Sequence, residues 1–190
     1  MSRFERKPAS TFAETLKVPA AMITSLAAWR PLTPADLSAV EAIAADVHPD
    51  FFEEPAVFAE RQRLYPKGTH ILEAGGAPCG YVLSHPWRIA SLPSLNSLLG
   101  SLPEDADTYY LHDLALLTRA RGTGAAGRIV ADLVAHARSE GFASMSLVAV
   151  NASQAFWERH GFAAKESPAL AGKLESYEQS ARFMVRSMDE

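Results

Sequence analysis

His112-Asp113-Leu114-Ala115-Leu116-Leu117-Thr118-Arg119-Ala120-Arg121-Gly122-Thr123-Gly124-Ala125-Ala126-Gly127 is the stretch from which the rest of the chain can be read. Residues 109–117, apolar and rich in β-formers, read as a central strand. Residues 125–140 follow as a helix, with Ala126, Ile129, Val130, Leu133, Val134 and Ala137 on one apolar stripe and Gly141 as the stop. The glycines between them let the backbone turn sharply and bring N–H groups close to a ligand. A helix that begins near Thr123 or Gly124 adds unpaired amides and the positive end of its dipole, so a diphosphate is the ligand such a corner favours. Arg119 and Arg121 supply countercharge. The bland alternative is a plain helix entry with two surface arginines.

Outward from this corner the remaining elements fall into an order. Thr33-Pro34-Ala35-Asp36 opens a first helix carrying Leu37, Val40, Ile43, Ala44 and Val47 at helical spacing, which His48-Pro49-Asp50 breaks. Residues 55–64 read as a second, short helix. Residues 69–74 and 80–84 form a hairpin around Gly75-Gly76-Ala77-Pro78. Residues 85–108 hold prolines, serines and acids with no long period, and connections of that length inside a compact domain tend to be functional. Residues 144–150 are a strand, 153–160 a short helix ended by Gly161, and 181–188 a final strand. This order supports a mixed α/β or α+β fold with one central sheet.

Gly122, Gly124 and Gly127 also satisfy the spacing of a dinucleotide-binding turn. Two features oppose that reading. Thr118 to Arg121 separate the strand from the first glycine, and the strand that follows, residues 144–150, contains no acid for a ribose. No Gly-Lys-Ser/Thr follows either, which removes the phosphate loop of nucleotide triphosphatases.

His112-Asp113-Leu114-Ala115-Leu116 followed by Arg119-x-x-Gly122-x-Gly124-Ala125 resembles the acetyl-CoA signature of the GNAT superfamily of N-acetyltransferases. The segment 151–162, ending Phe156-Trp157-Glu158-Arg159-His160-Gly161-Phe162, is similar to the family's Asn-x-x-Ala-x-x-x-Tyr-x-x-x-Gly-Phe motif. The resemblance covers residues 27–190 and leaves 1–26 as an N-terminal extension. It implies an α/β (α+β) GNAT fold, with a mixed, mostly antiparallel sheet splayed between strands 4 and 5 and flanked by helices. It implies acetyl-CoA as cosubstrate and no metal. Leu114, Ala115 and Leu116 would run beside the pantetheine and acetyl carbonyl. Arg119, Arg121, Gly122, Thr123, Gly124, Ala125 and Ala126 would hold the diphosphate. An N–H aimed at the thioester oxygen would stabilise the oxyanion. Ser153, Phe156 and Trp157 would flank the pantetheine and sulfur, Ser153 rather than Asn151 being the match because Asn151 lies one residue too close to Trp157.

Direct attack by an amine on a thioester requires a base and is helped by an acid. Strict alternation puts Tyr110, His112 and Leu114 on one face of the strand and Asp113 on the other. His112 is the expected base or water relay, Asp113 the competing choice; a core histidine and a strand-end carboxylate are their ordinary readings. The family's tyrosine acid falls on Trp157, whose indole N–H is a donor that releases no proton at useful pH. Tyr110 and Tyr177 are the substitutes. Glu53 and Glu54 are expected to draw a cationic amine, and His85 and Trp87 to shape its pocket. Phe51-Phe52-Glu53-Glu54 and Ser84-His85-Pro86-Trp87 are loosely similar to the arylalkylamine-type subgroup. Acetylation of a small-molecule primary amine is the function expected; a non-catalytic acyl-CoA-binding regulatory module and a protein amino-group acetyltransferase are the alternatives.

Composition sets the outer limits. The chain has 190 residues, 48% hydrophobic and 21% charged, enough for one sizeable core. A net charge of -4 gives no general attraction to nucleic acid or an anionic membrane, so neither is an expected partner, and any anion site is local. A homodimer remains open. One cysteine, Cys79, permits no internal disulfide and fits a reducing, cytoplasmic home. No apolar run reaches the length that spans a bilayer.

Overall fold

Strands and helices in mixed order build one sheet, as a computed structural model describing residues 27–89, 91–175 and 177–188 shows. The expected extension 1–26 lies outside the described residues. In chain order the elements are β1 (Ala28–Pro31), α1 (Leu37–Val47), α2 (Pro55–Leu64), β2 (Thr69–Ala74), β3 (Ala77–Trp87) and β4 (Thr108–Leu116). α3 (Ala125–Ser139), β5 (Ser144–Ala149), α4 (Gln154–Arg159), β6 (Ala163–Ala164), α5 (Ala171–Glu175) and β7 (Arg182–Ser187) follow. The seven strands form one sheet in the order β1-β2-β3-β4-β5-β7-β6. Neighbours are antiparallel except β4 and β5, which are parallel. This is the GNAT fold.

Each face of the sheet is covered because each helix has one apolar stripe. Ile129, Val130, Leu133 and Val134 of α3 pack on Tyr109, Leu111, Met145 and Leu147, all buried. On the opposite face Val40 and Ile43 of α1 and Phe58 of α2 pack on Ile71, Tyr81, Leu83 and Ala115. Each such aliphatic side chain removed from water stabilises the fold by about 1.5–3 kcal/mol. α1 begins as the sequence indicates: the Asp36 carboxylate accepts the Thr33 N–H at 2.9 Å and its hydroxyl at 2.8 Å. Among the described residues no helix is long and apolar enough to cross a membrane.

Two departures from the sequence reading matter for the site. β3 runs on to Trp87, through Pro86. Pairing with β2 stops at Thr69↔Leu83, so the missing N–H of Pro86 falls where β3 has a neighbour on one side only, a position that tolerates proline. The second departure is a β-bulge in β4. Leu83 faces Asp113 and Ser84 faces Leu111, which leaves His112 as an extra residue with no partner on β3. Strict alternation therefore fails at this point. Asp113 does not point away from His112, as the period-two reading has it. Both side chains emerge on the α1 side, and Leu114 passes to the α3 side, where it packs with Leu111's cluster.

The connection between β3 and β4 contains no regular helix or strand among its described residues, yet it is firmly tied down. Glu60 and Arg61, both buried in α2, form an ion pair at 2.7 Å. The Glu60 carboxylate accepts the N–H groups of Leu99 and Gly100 at 2.6 and 3.0 Å, and Arg61 donates to the Ser97 carbonyl at 2.9 Å. β6 and α5, both short, were not legible in the sequence.

Candidate active site

β4 and β5 pair only at Tyr109↔Met145 and Tyr110↔Ser146. Beyond Tyr110 they part, and the edge of β4 from Leu111 to Leu116 that faces β5 has no strand beside it. An extended molecule laid in this gap can hydrogen-bond to that edge as a strand would. A cavity of about 860 Å³ fills the gap and reaches the start of α3, a volume in the range of small-molecule and cofactor sites.

The glycine corner borders this cavity. Gly122 and Gly124 have φ of 73° and 78°, left-handed values that favour glycine, and Gly124 caps α3. The first-turn amides of α3 have no acceptor within the helix. Leu114, Leu116, Arg121, Gly122 and Gly124 line the cavity, as do Ala125 and Ala126 at the helix start. Ser153, Phe156 and Trp157 line it from the β5 side. Three residues singled out for this site stand aside from it. Ala115 is fully buried against the α1 side. Thr123 is buried, its hydroxyl donated to the Ala120 carbonyl at 2.8 Å. Arg119 donates to the Pro78 carbonyl at 2.7 Å in the β2–β3 hairpin. Of the two arginines expected at the diphosphate, Arg121 is the one that borders the cavity, held by a 3.0 Å bond from Nε to the Leu116 carbonyl; Arg159, at the end of α4, borders it as well.

A second, smaller pocket of about 60 Å³ adjoins the first on the α1 side. Phe51, Phe58 and Leu95 give it an apolar wall, and Glu53, Tyr110 and Tyr177 a polar one. His48, His112 and Asp113 border both spaces. The bulge is the reason two consecutive residues of β4 reach this junction.

At the junction two histidine–carboxylate pairs stand side by side. His112 Nε2 donates to Glu53 Oε2 at 3.1 Å, with side-chain exposures of 8% and 6%, low enough to shield the pair from salt and water. Burial pushes the Glu53 carboxyl up, but the neighbouring His112 outweighs it and holds it below the usual range. The other Glu53 oxygen accepts the Asn96 N–H at 3.2 Å, and Asn96 Oδ1 accepts the Glu54 N–H at 2.7 Å, so the long connection is latched to the same carboxylate. In the second pair His48 Nε2 lies 3.0 Å from Asp113 Oδ1, an ion-pair contact with the ring N–H not aimed along it. Asp113 also accepts the Tyr81 hydroxyl. Burial raises the Asp113 carboxyl, and His48 and Tyr81 together bring it below its ordinary value.

The remaining expected residues fall as follows. Tyr110 and Tyr177 line the small pocket and not the large one. Tyr177 donates to the Pro93 carbonyl at 3.0 Å, and burial pushes its hydroxyl up to about 12. Glu54 is exposed and lines neither space. His85 is buried behind His112, ring centroids 6.2 Å apart, and burial brings it down to about 3, so it stays neutral. Trp87 packs beside it with Leu92 and Tyr110. Among the described residues no group of three metal-ligating side chains stands close enough to hold a metal ion. His48 escaped the sequence reading because a histidine before a proline looks like a helix end and nothing more.

The profile of the Acetyltransferase (GNAT) family matches residues 37–162. The chain belongs to the GNAT acetyltransferase family. It is an acyl-CoA-dependent N-acetyltransferase, and the gap between β4 and β5 with the glycine corner fits the family's acyl-CoA. No curated protein matches this acetyltransferase in sequence. Among solved structures it is similar to Ard1 of Thermoplasma volcanium, at 16% identity and a TM-score of 0.67, over 87% of this chain and 99% of that one. It is also similar to the loading GNATL domain of CurA from Lyngbya majuscula, at 12% identity and a TM-score of 0.70, over 85% and 98% of the two chains. N-acetylglutamate synthase of Neisseria gonorrhoeae, solved with coenzyme A and N-acetyl-glutamate, shares 15% identity at a TM-score of 0.63, over 86% of this acetyltransferase and 35% of that chain. At these identities the likeness is one of fold.

Proposed function

We propose that this acetyltransferase moves the acetyl group of acetyl-CoA to the primary amine of a small molecule with an apolar aromatic or aliphatic body, by direct attack, with His112 as base. The observation that carries the reading is the Glu53–His112 pair at the junction of the two spaces, where an amine from one meets a thioester from the other. Glu53 holds the proton on Nε2 and leaves Nδ1 as the basic nitrogen. Glu53 and Asp113, both held as carboxylates, attract an ammonium; Phe51, Phe58 and Leu95 suit the carbons next to it. The small volume and the latched connection favour a compact amine head over a long peptide. The similarity of 51–54 and 84–87 to the arylalkylamine-type subgroup points the same way.

The test is thiol release from acetyl-CoA with a panel of 2-phenylethylamine, hexylamine, spermidine and a tripeptide with a free amino terminus. The reading expects the two monoamines to be fastest and His112→Ala to lower kcat by roughly 10²-fold or more, the contribution of a positioned base. A preference for the tripeptide would replace the small-molecule acceptor with a protein amino group. No release with any amine, alongside tight acetyl-CoA binding by calorimetry, would favour a binding module.

A further inference from the structure

Where β4 and β5 part, one side chain lies across the opening. His48 follows the last turn of α1, with Nε2 3.0 Å from Asp113 on β4 and Nδ1 3.3 Å from Asn151 Nδ2, just past β5. Its ring borders the large cavity and the small pocket alike. An acetyl group that leaves a thioester in the first for an amine in the second must pass beside it.

Two proton transfers accompany that passage, and the Glu53–His112 pair accounts for one. The other is protonation of the departing thiolate. Trp157 stands at the family's tyrosine position, and its indole N–H is donated to Ser153 Oγ at 3.1 Å. An indole releases no proton at useful pH. Tyr110 and Tyr177 do not reach the large cavity, and Tyr81 is buried with its hydroxyl given to Asp113. His160 lines the large cavity but lies against Gly127 of α3, away from the small pocket, so His48 is the titratable side chain at the junction that remains.

On the reading of the chain as an acetyl-CoA-dependent transferase, we propose that His48 is the proton donor to the departing CoA sulfur, with Asp113 as its positioning residue. The amine nitrogen bonds to the acetyl carbon; the C–S bond then breaks with its electron pair left on sulfur, and a ring proton of the His48 imidazolium moves to that pair. Nδ1 accepts from the Asn151 amide while the ring is neutral, so Asn151 turns from it when the proton is taken up. The ammonium loses two protons through His112 to solvent, and one returns from solvent to His48. The sum is an amide, a thiol and one proton released. The groups that face His48 are Asp113 from β4, Glu53 from the segment after α1 and Arg121 from the turn before α3. Burial favours the neutral ring and Arg121 opposes its charge, but Asp113 and Glu53 outweigh them and raise its pKa above 6.5. The imidazolium therefore persists to higher pH than that of an ordinary histidine and is lost as pH rises through the folded value.

Single-turnover thiol release, with acetyl-CoA and the fastest amine of the panel, is measured from neutral to alkaline pH for the wild type and His48→Gln. The expected result is a variant slower by about 10²-fold at neutral pH, as for loss of a positioned acid, with acetyl-CoA affinity unchanged. Its profile meets that of the wild type in alkali, where His48 has lost its proton. A deficit that does not vary with pH, or rates within a factor of two, overturns the proposal. Asp113→Asn, nearly the same shape, is expected to move the alkaline limb of the wild type to lower pH; an unmoved limb also overturns it. Wild-type release matched by His48→Gln removes the assignment to His48 alone, whereas no release by the wild type removes the transferase reading and this step with it.

Discussion

Glu53 answers to two neighbours with one carboxylate, His112 through Oε2 and Asn96 through Oε1. Glu53→Gln keeps the shape and removes the charge, so kcat is expected to fall while acetyl-CoA affinity holds. The same substitution has a signature in acid. A carboxyl depressed in the fold contributes stability that is present above its ordinary value of 4.5 and lost as pH falls through the folded value. The melting temperature of Glu53→Gln, followed by circular dichroism, should therefore fall less steeply in acid than that of the wild type; parallel curves would contradict the pairing. His112 was legible because a histidine in a short strand before a glycine turn is unusual and chemically useful. Glu53 was legible only as an acid near the mouth. His48 was not, since its meaning comes from Asp113, far along the chain.

The corner between β4 and α3 was read correctly as a turn because glycine is the residue that takes φ of 73° and 78° without strain. Gly124→Val is expected to lower both stability and CoA affinity, since a β-branched residue at left-handed φ is strained by about 1–2 kcal/mol or more. The division of labour between the two arginines was not legible, because spacing alone does not say which guanidinium finds a carbonyl first. Arg121→Ala should weaken CoA binding about tenfold in calorimetry, the scale of one hydrogen bond to a charged group. Arg119→Ala should leave affinity alone and lower the melting temperature, since its bond to Pro78 ties the corner to the hairpin. Equal losses of affinity would mean that Arg119 leaves Pro78 when the diphosphate arrives. The bulge at His112 was beyond the sequence, for a period-two pattern carries no mark of one extra residue.

Across the molecule, the order of strands and helices was enough to give one central sheet, whereas its splayed strands and flanking helices came from the family resemblance. How residues 88–107 are held was not legible, since their anchors Glu60 and Arg61 look like ordinary charges of a helix surface. Glu60→Ala leaves Arg61 buried without its partner and should cost about 3–5 kcal/mol, with faster hydrogen exchange at the Leu99 and Gly100 amides. Unchanged exchange there would show that the connection is held by other contacts. The seam between β4 and β5 has a consequence of another kind. Two residue pairs stitch one half of the sheet to the other, and a thioester laid in the opening would supply the missing rung. Ligand at about 100 times its dissociation constant adds about 2.7 kcal/mol to the folded state. Resistance of this chain to proteases is therefore expected to rise with the concentration of acyl donor.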